Sequence, residues 1–109
     1  MGRPFTVTLE GEHIFVCQAC QTQYTLLQYF LPHESFYNPV TMVGYQVLSE
    51  VVNTFTDGKI IELKISDAVS LPCMEIFCVG CAALLGLKIE SVPDIIKHKI
   101  KEGKYIFIT

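Results

Sequence analysis

Two short turns of the same form constrain this chain most: Cys17-Gln18-Ala19-Cys20 and Cys78-Val79-Gly80-Cys81. Two sulfurs on one tight turn supply half the coordination shell of a tetrahedral zinc ion, and two such turns complete a four-thiolate site. Residues 21–77 separate the pairs, so one ion would tie the start of the domain to its last third. Zinc binding to thiolates in a small domain is worth about 10–16 kcal/mol at neutral pH. That matches the net stability of a whole domain, about 5–15 kcal/mol. The fold is therefore expected to loosen without its metal. Four protein ligands, Cys17, Cys20, Cys78 and Cys81, leave no open coordination position, so the site reads as structural and not catalytic. Gly80 suits a turn whose N–H groups point at sulfur, because glycine tolerates positive φ. Rival readings of the same cysteines are two redox pairs, a Cys17-to-Cys81 disulfide staple, and an iron or iron–sulfur centre.

A chain of 109 residues suits a single domain, residues 1–109. It is 50% hydrophobic and 17% charged, more apolar than one small core needs. An exposed apolar patch is expected, for self-association or for a partner. The net charge of −3 opposes general attraction to nucleic-acid phosphates. The local basic cluster Lys97, His98, Lys99, Lys101 and Lys104 reads as a solvated face. The N-terminus has no apolar core of a secretion signal, and no apolar run approaches a membrane span. With five cysteines, an odd number, a disulfide framework is not expected, and a reduced intracellular compartment is the default. The chain stops directly after an apolar strand, as a domain excised from a longer protein would.

Hydrophobic alternation predicts mainly strands. They fall at Phe5 to Leu9, His13 to Val16 ahead of the first cysteine turn, and Tyr24 to Leu31. Pro32, Asn38 and Pro39 bracket a loop holding His33, Glu34 and Ser35. Val43 to Phe55 is β-rich, with Gly44 as a candidate bulge, and Asp57-Gly58 is a hairpin turn signal. Lys59 to Ile65 alternates most clearly. Ser66 to Pro72 reads as a loop, Cys73 to Phe77 as a strand entering the second cysteine turn, and Ala82 to Glu90 as the strand leaving it. Pro93 and Asp94 could open a short helix to Lys101, and Lys104 to Ile108 closes the chain as a strand. About eight short strands with no clear long helix indicate an antiparallel sandwich or open barrel.

Cys73 is the odd cysteine. On a strand it reads as a buried, inert thiol, with a catalytic nucleophile as the alternative. His13, His33 and His98 lack ligand spacing to one another; His13 could stand behind the metal ligands, or be a plain strand residue.

Four blocks carry a resemblance to a known family: Ile14-Phe15-Val16-Cys17-Gln18-Ala19-Cys20-Gln21-Thr22, Val51-Val52-Asn53, Cys73-Met74-Glu75-Ile76-Phe77-Cys78-Val79-Gly80-Cys81 with Leu85-Gly86, and Lys101-Glu102-Gly103-Lys104-Tyr105-Ile106-Phe107-Ile108. In these the chain resembles the Yippee-like superfamily of zinc domains. Cys73 and Ser91-Val92-Pro93 are most similar to its centromere, or Mis-eighteen, branch. Gly86-Leu87-Lys88-Ile89 stands where Yippee proteins proper carry an aromatic-rich stretch.

The resemblance implies a β-tent, two antiparallel sheets leaning together and pinned by one zinc ion. It implies a non-enzymatic scaffold in the nucleus, at the chromosome centromere, that forms a homodimer or higher oligomer. Such a scaffold helps recruit centromere and histone-deposition proteins. For the self-association surface, Leu26, Tyr29, Val43, Ile106 and Ile108 are candidates, with core burial the competing fate for each. Three other functions remain open: direct DNA binding through Lys97, Lys99 and Lys101; an enzyme similar to the methionine sulfoxide reductases, which would need Cys73 as nucleophile; and, last, a cereblon-like module for a small ligand or degron. The chain has no Trp for the aromatic cage that the last requires.

Overall fold

The computed structural model describes residues 8–38, 41–65, 69–94 and 103–108. Among them are eight strands and a 3-10 turn at Leu27–Tyr29. The strands are β1 (Ile14–Val16), β2 (Gln23–Leu26), β3 (Phe36–Asn38), β4 (Val43–Leu48), β5 (Thr54–Lys64), β6 (Ser70–Cys78), β7 (Leu84–Ile89) and β8 (Tyr105–Ile108). They form two antiparallel sheets, β1-β2 and β3-β4-β8-β7-β6-β5. The all-β, two-sheet architecture expected from the sequence is the one observed.

The larger sheet curls on itself. Its edge strands are β3 and β5, yet Asn38 at the end of β3 donates from Nδ2 to the carbonyl of Ile65, one residue past β5, at 3.2 Å. The outer strands therefore meet at this end. The enclosed face holds Tyr45, Val47, Leu71, Cys73, Leu87, Ile89, Val92 and Ile106, with Phe36, Val43, Ile61 and Leu63 packed against them. Strand register explains the set. Cys73 lies opposite both Ile61 and Ile89, Leu71 opposite Leu63, and Leu87 opposite Ile106, so one parity of each strand points inward. Each fully buried branched side chain contributes about 1.5–3 kcal/mol.

The small sheet joins the large one through residues 49–53, the link between β4 and β5. Ser49 N–H donates to Tyr29 O at 2.8 Å, and Val52 N–H to Tyr24 O at 2.8 Å. Buried Thr25 donates from Oγ1 to Glu50 O at 2.8 Å, and Asn53 donates from Nδ2 to Gln23 O at 2.7 Å. Tyr24 of β2 stacks on Phe107 of β8 with ring centroids 5.4 Å apart. Leu26, Leu48 and Ile76 are also buried and lie outside the barrel cluster.

Several sequence expectations change. Asp57-Gly58 makes no hairpin turn: both lie within β5, where Thr56 pairs with Ile76 and Ile60 with Met74, so Asp57, Gly58 and Lys59 bulge outward. Gly58 takes φ +80°, the conformation that produced the turn signal. The actual β5–β6 connection closes with Ile65 N–H to Val69 O at 3.1 Å. Gly44 pairs in regular register with Tyr37 and makes no bulge. Phe36–Asn38, read as loop, is β3.

Pro72, also read as loop, sits inside β6 opposite Glu62. Its carbonyl accepts from Glu90, just beyond the last β6–β7 pair, so its missing N–H interrupts no ladder. Tyr24 to Leu31 is strand only to Leu26. Leu9 is not in a strand, and Phe5 to Val7 lie outside the described residues, as do residues 95–101 of the expected helix, Lys97, His98, Lys99 and Lys101 among them. Among the candidate surface residues, Leu26 (2% exposed) and Ile106 (0%) are core, and Val43 packs against the core. Among the described residues the exposed large apolar side chains are instead Leu27, Tyr37, Met42, Phe55, Ile60 and Leu84.

Candidate metal centre

Each cysteine pair occupies the turn of a β-hairpin, and the two turns are built alike. Cys17 follows β1; its N–H donates to Thr22 O at 2.8 Å, and its carbonyl accepts from Gln21 N–H at 2.8 Å. Cys78 ends β6; its N–H donates to Ala83 O at 2.9 Å, and its carbonyl accepts from Ala82 N–H at 2.7 Å. In both turns the residue after the second cysteine takes a positive φ, Gln21 at 66° and Ala82 at 62°. The repeated backbone places two sulfurs on the same side of each turn.

The hairpins come from different sheets and face one another. All four sulfurs lie within 4.8 Å of one another. Cys17 Sγ is 3.6 Å from Cys81 Sγ, and Cys20 Sγ is 3.4 Å from Cys78 Sγ. Sulfurs at the corners of a zinc tetrahedron, with Zn–S near 2.3 Å, stand about 3.8 Å apart. The donor set therefore fits one zinc ion. A disulfide needs about 2.0 Å, and all five thiols are free, so the structure does not contain the Cys17-to-Cys81 staple.

Gly80 contributes in a way that differs from the expectation. It does not take a positive φ. Its N–H donates to Cys78 Sγ at 3.3 Å, and a Cβ there would collide with Thr22 Oγ1 and stand 2.9 Å from Cys20 Sγ. Glycine is required because the second turn passes directly against the first. Thr22 Oγ1 lies 3.1 Å from Cys20 Sγ, where its hydroxyl donates to the thiolate form.

That bond, with help from the Thr22 backbone, lowers the Cys20 thiol from its ordinary value to about 6. Cys81 is pushed up to about 12: an N–H bond from Ala83 works against the rise and is outweighed by desolvation and the three neighbouring thiols. Four sulfurs so close repel as anions, and a dication reverses that balance. When bound, zinc supplies this charge and holds the two hairpins together.

Asn53 escaped sequence reasoning as part of the centre. Its carbonyl accepts from Val79 N–H, inside the second cysteine turn, at 3.0 Å, while its side chain holds Gln23 on the first hairpin. It adopts φ +58° to reach both. A lone Asn after two valines is a faint signal, because left-handed residues of this kind are ordinary in turns.

The remaining candidates lie apart from the sulfurs. Cys73 is fully buried in the barrel core. Burial first, then Glu62 and Glu90, push its thiol up to about 11. His13 is exposed ahead of β1, and exposed His33 lies 3.4 Å from Glu34. Among the described residues the metal-competent cluster is Cys17, Cys20, Cys78 and Cys81.

The chain matches no family model. It is 34% identical over 106 residues to a yippee-like protein of Solanum tuberosum, covering 97% of this chain and 77% of the relative. A yippee-like protein of Arabidopsis thaliana is 32% identical over 113 residues, covering 97% of this chain and 82% of the relative. Another from the same plant is 32% identical over 106 residues at 97% and 77% coverage. Similarity over nearly the whole chain, together with a four-thiolate centre built from two matched hairpins, shows that this chain belongs to the Yippee-like family.

Proposed function

We propose that this domain is a non-enzymatic, zinc-stabilised scaffold of a centromere protein, which self-associates and helps recruit the machinery that deposits the centromeric histone variant. The observation that carries the scaffold reading is the closed donor set: four cysteines satisfy a tetrahedral ion and leave no position for substrate. Cys73 further supports a non-enzymatic role. A thiol with 0% exposure, raised to about 11, is a poor nucleophile at neutral pH. The centromere assignment, and with it a nuclear location, rests on Cys73 and Ser91-Val92-Pro93 resembling that branch of the family.

Self-association is supported by apolar side chains left exposed beside the metal hairpin. Phe55 contacts Phe77 with ring centroids 5.5 Å apart, and Phe77 pairs with exposed Leu84. This row is the surface through which a second copy docks. Light scattering tests it: the native chain is expected to have at least dimer mass, and Phe55→Asp with Leu84→Asp to be monomeric and folded. A native monomer at tens of micromolar would contradict the scaffold reading. Fluorescent tagging in dividing cells tests the location. Centromeric foci are expected, and diffuse signal from a folded, zinc-loaded protein would contradict the centromere role.

A further inference from the structure

The four thiols of the metal centre are not equivalent, and their differences predict which one fails first under oxidation. Cys17 and Cys78 are buried, Cys20 is partly buried, and Cys81 is exposed. The Cys20 sulfur is hydrogen-bonded to the Thr22 hydroxyl at 3.1 Å, which draws electron density from it. The corresponding position in the second hairpin is Ala83, which has no hydroxyl. Across the site, Cys81 Sγ is 3.6 Å from Cys17 Sγ, a cysteine 64 residues away on the other hairpin.

We propose that Cys81 is a peroxide-sensitive modification site, that Cys17 captures its oxidised sulfur as a disulfide, and that this bond displaces the metal while keeping the hairpins joined. The inference rests on the zinc reading and goes beyond the scaffold role. Cys81, which a bound metal holds as its thiolate, attacks one peroxide oxygen; the O–O bond breaks, hydroxide leaves, and Cys81 becomes a sulfenic acid. The Cys17 thiolate then attacks the Cys81 sulfur; the S–O bond breaks, a second hydroxide leaves, and the disulfide forms. Two thiolates lose two electrons together, and one hydrogen peroxide is reduced to two hydroxides. The sulfurs must close from 3.6 Å to about 2.0 Å, a movement available to two turns already in contact. Cys20 and Cys78 remain as thiols, too few to close a tetrahedral shell. Thr22 directs the reaction away from Cys20, and a reductant with zinc restores the original site.

The test uses the full 109-residue chain, with its zinc content measured before hydrogen peroxide is added. Zinc release is followed with a chromogenic chelator, and disulfides are mapped by non-reducing mass spectrometry. The expected result is about one ion released for each two thiols lost, a linkage joining Cys17 to Cys81, and recovery with dithiothreitol and zinc. A first-formed bond within either pair, or first oxidation at Cys20, would overturn the proposal. So would retention of zinc at peroxide doses that oxidise a free cysteine peptide.

Replacing Cys81 could unload the site altogether, so the second variant is Thr22→Val, which keeps all four sulfurs. In the zinc-loaded chain, where Cys20 is a thiolate with or without the hydroxyl, it should then be alkylated by maleimide several-fold faster, with Cys81 unchanged. An unchanged Cys20 rate would remove the hydroxyl as the source of selectivity.

Discussion

At the scale of single residues, small atoms decide whether the two turns can meet. Gly80→Ala places a methyl group against Thr22 Oγ1 and Cys20 Sγ. It is expected to weaken zinc retention about 10–100-fold in competition with a chelator, the range for groups that support metal ligands. Retention equal to the native chain would show that the second turn does not pack against Thr22 and Cys20. Cys73 illustrates a different residue-scale effect. Serine in its place buries a hydroxyl among Ile61, Ile89 and Leu71, at a cost of about 1–3 kcal/mol in urea unfolding, whereas alanine leaves only a small cavity. Equal urea midpoints for the serine and alanine variants would show that the surroundings of Cys73 are not apolar.

The same thiol carries a pH dependence. Its pKa is raised in the fold, from an ordinary value near 9 to about 11, so the fold favours the protonated form. The unfolded chain ionises first, so the stabilisation is complete below about pH 9 and is lost as pH rises towards 11. Urea midpoints should fall across that window, and the fall should be smaller in Cys73→Ala.

At the scale of elements, the join between the sheets depends on residues 49–53. Asn53→Ala removes the donor to Gln23 O and disfavours the positive φ that lets its carbonyl receive Val79 N–H. A loss of about 1–3 kcal/mol is expected. Hydrogen exchange should accelerate at Val52 and Val79 more than in the barrel strands; uniform acceleration would mean that Asn53 acts on the whole fold and not on the join.

This element was hidden in the sequence, while the metal turns were plain in it. The Cys-x-x-Cys spacing is chemistry written in two local copies, whereas the Asn53 link depends on three segments brought together only by folding. Asp57-Gly58 misled for a related reason. Positive φ is needed both in a hairpin turn and in an outward bulge, and local sequence cannot say whether the chain reverses afterwards. Leu26 and Ile106 could not be separated from surface residues either. The alternation of a strand marks two faces, but which face another sheet covers is a tertiary fact.

At the scale of the molecule, the described residues form a curled six-stranded sheet with a two-stranded sheet fastened to it. The barrel has its own apolar cluster; the small sheet has few residues and depends on the residue 49–53 link and the metal. Removing zinc should therefore unfold β1 and β2 before the barrel, a sequence that hydrogen exchange can follow. Exposed Phe55 and Leu84, with half-buried Phe77 paired to both, stand beside the metal hairpin, so the ion would hold the proposed docking surface in shape.

The measurement closest to the central claim is zinc X-ray absorption on the purified chain, paired with metal content. One zinc per chain, with four sulfur neighbours near 2.3 Å, is the predicted result. A chain that folds without zinc, or a zinc shell containing nitrogen or oxygen in place of one of the four sulfurs, would contradict it.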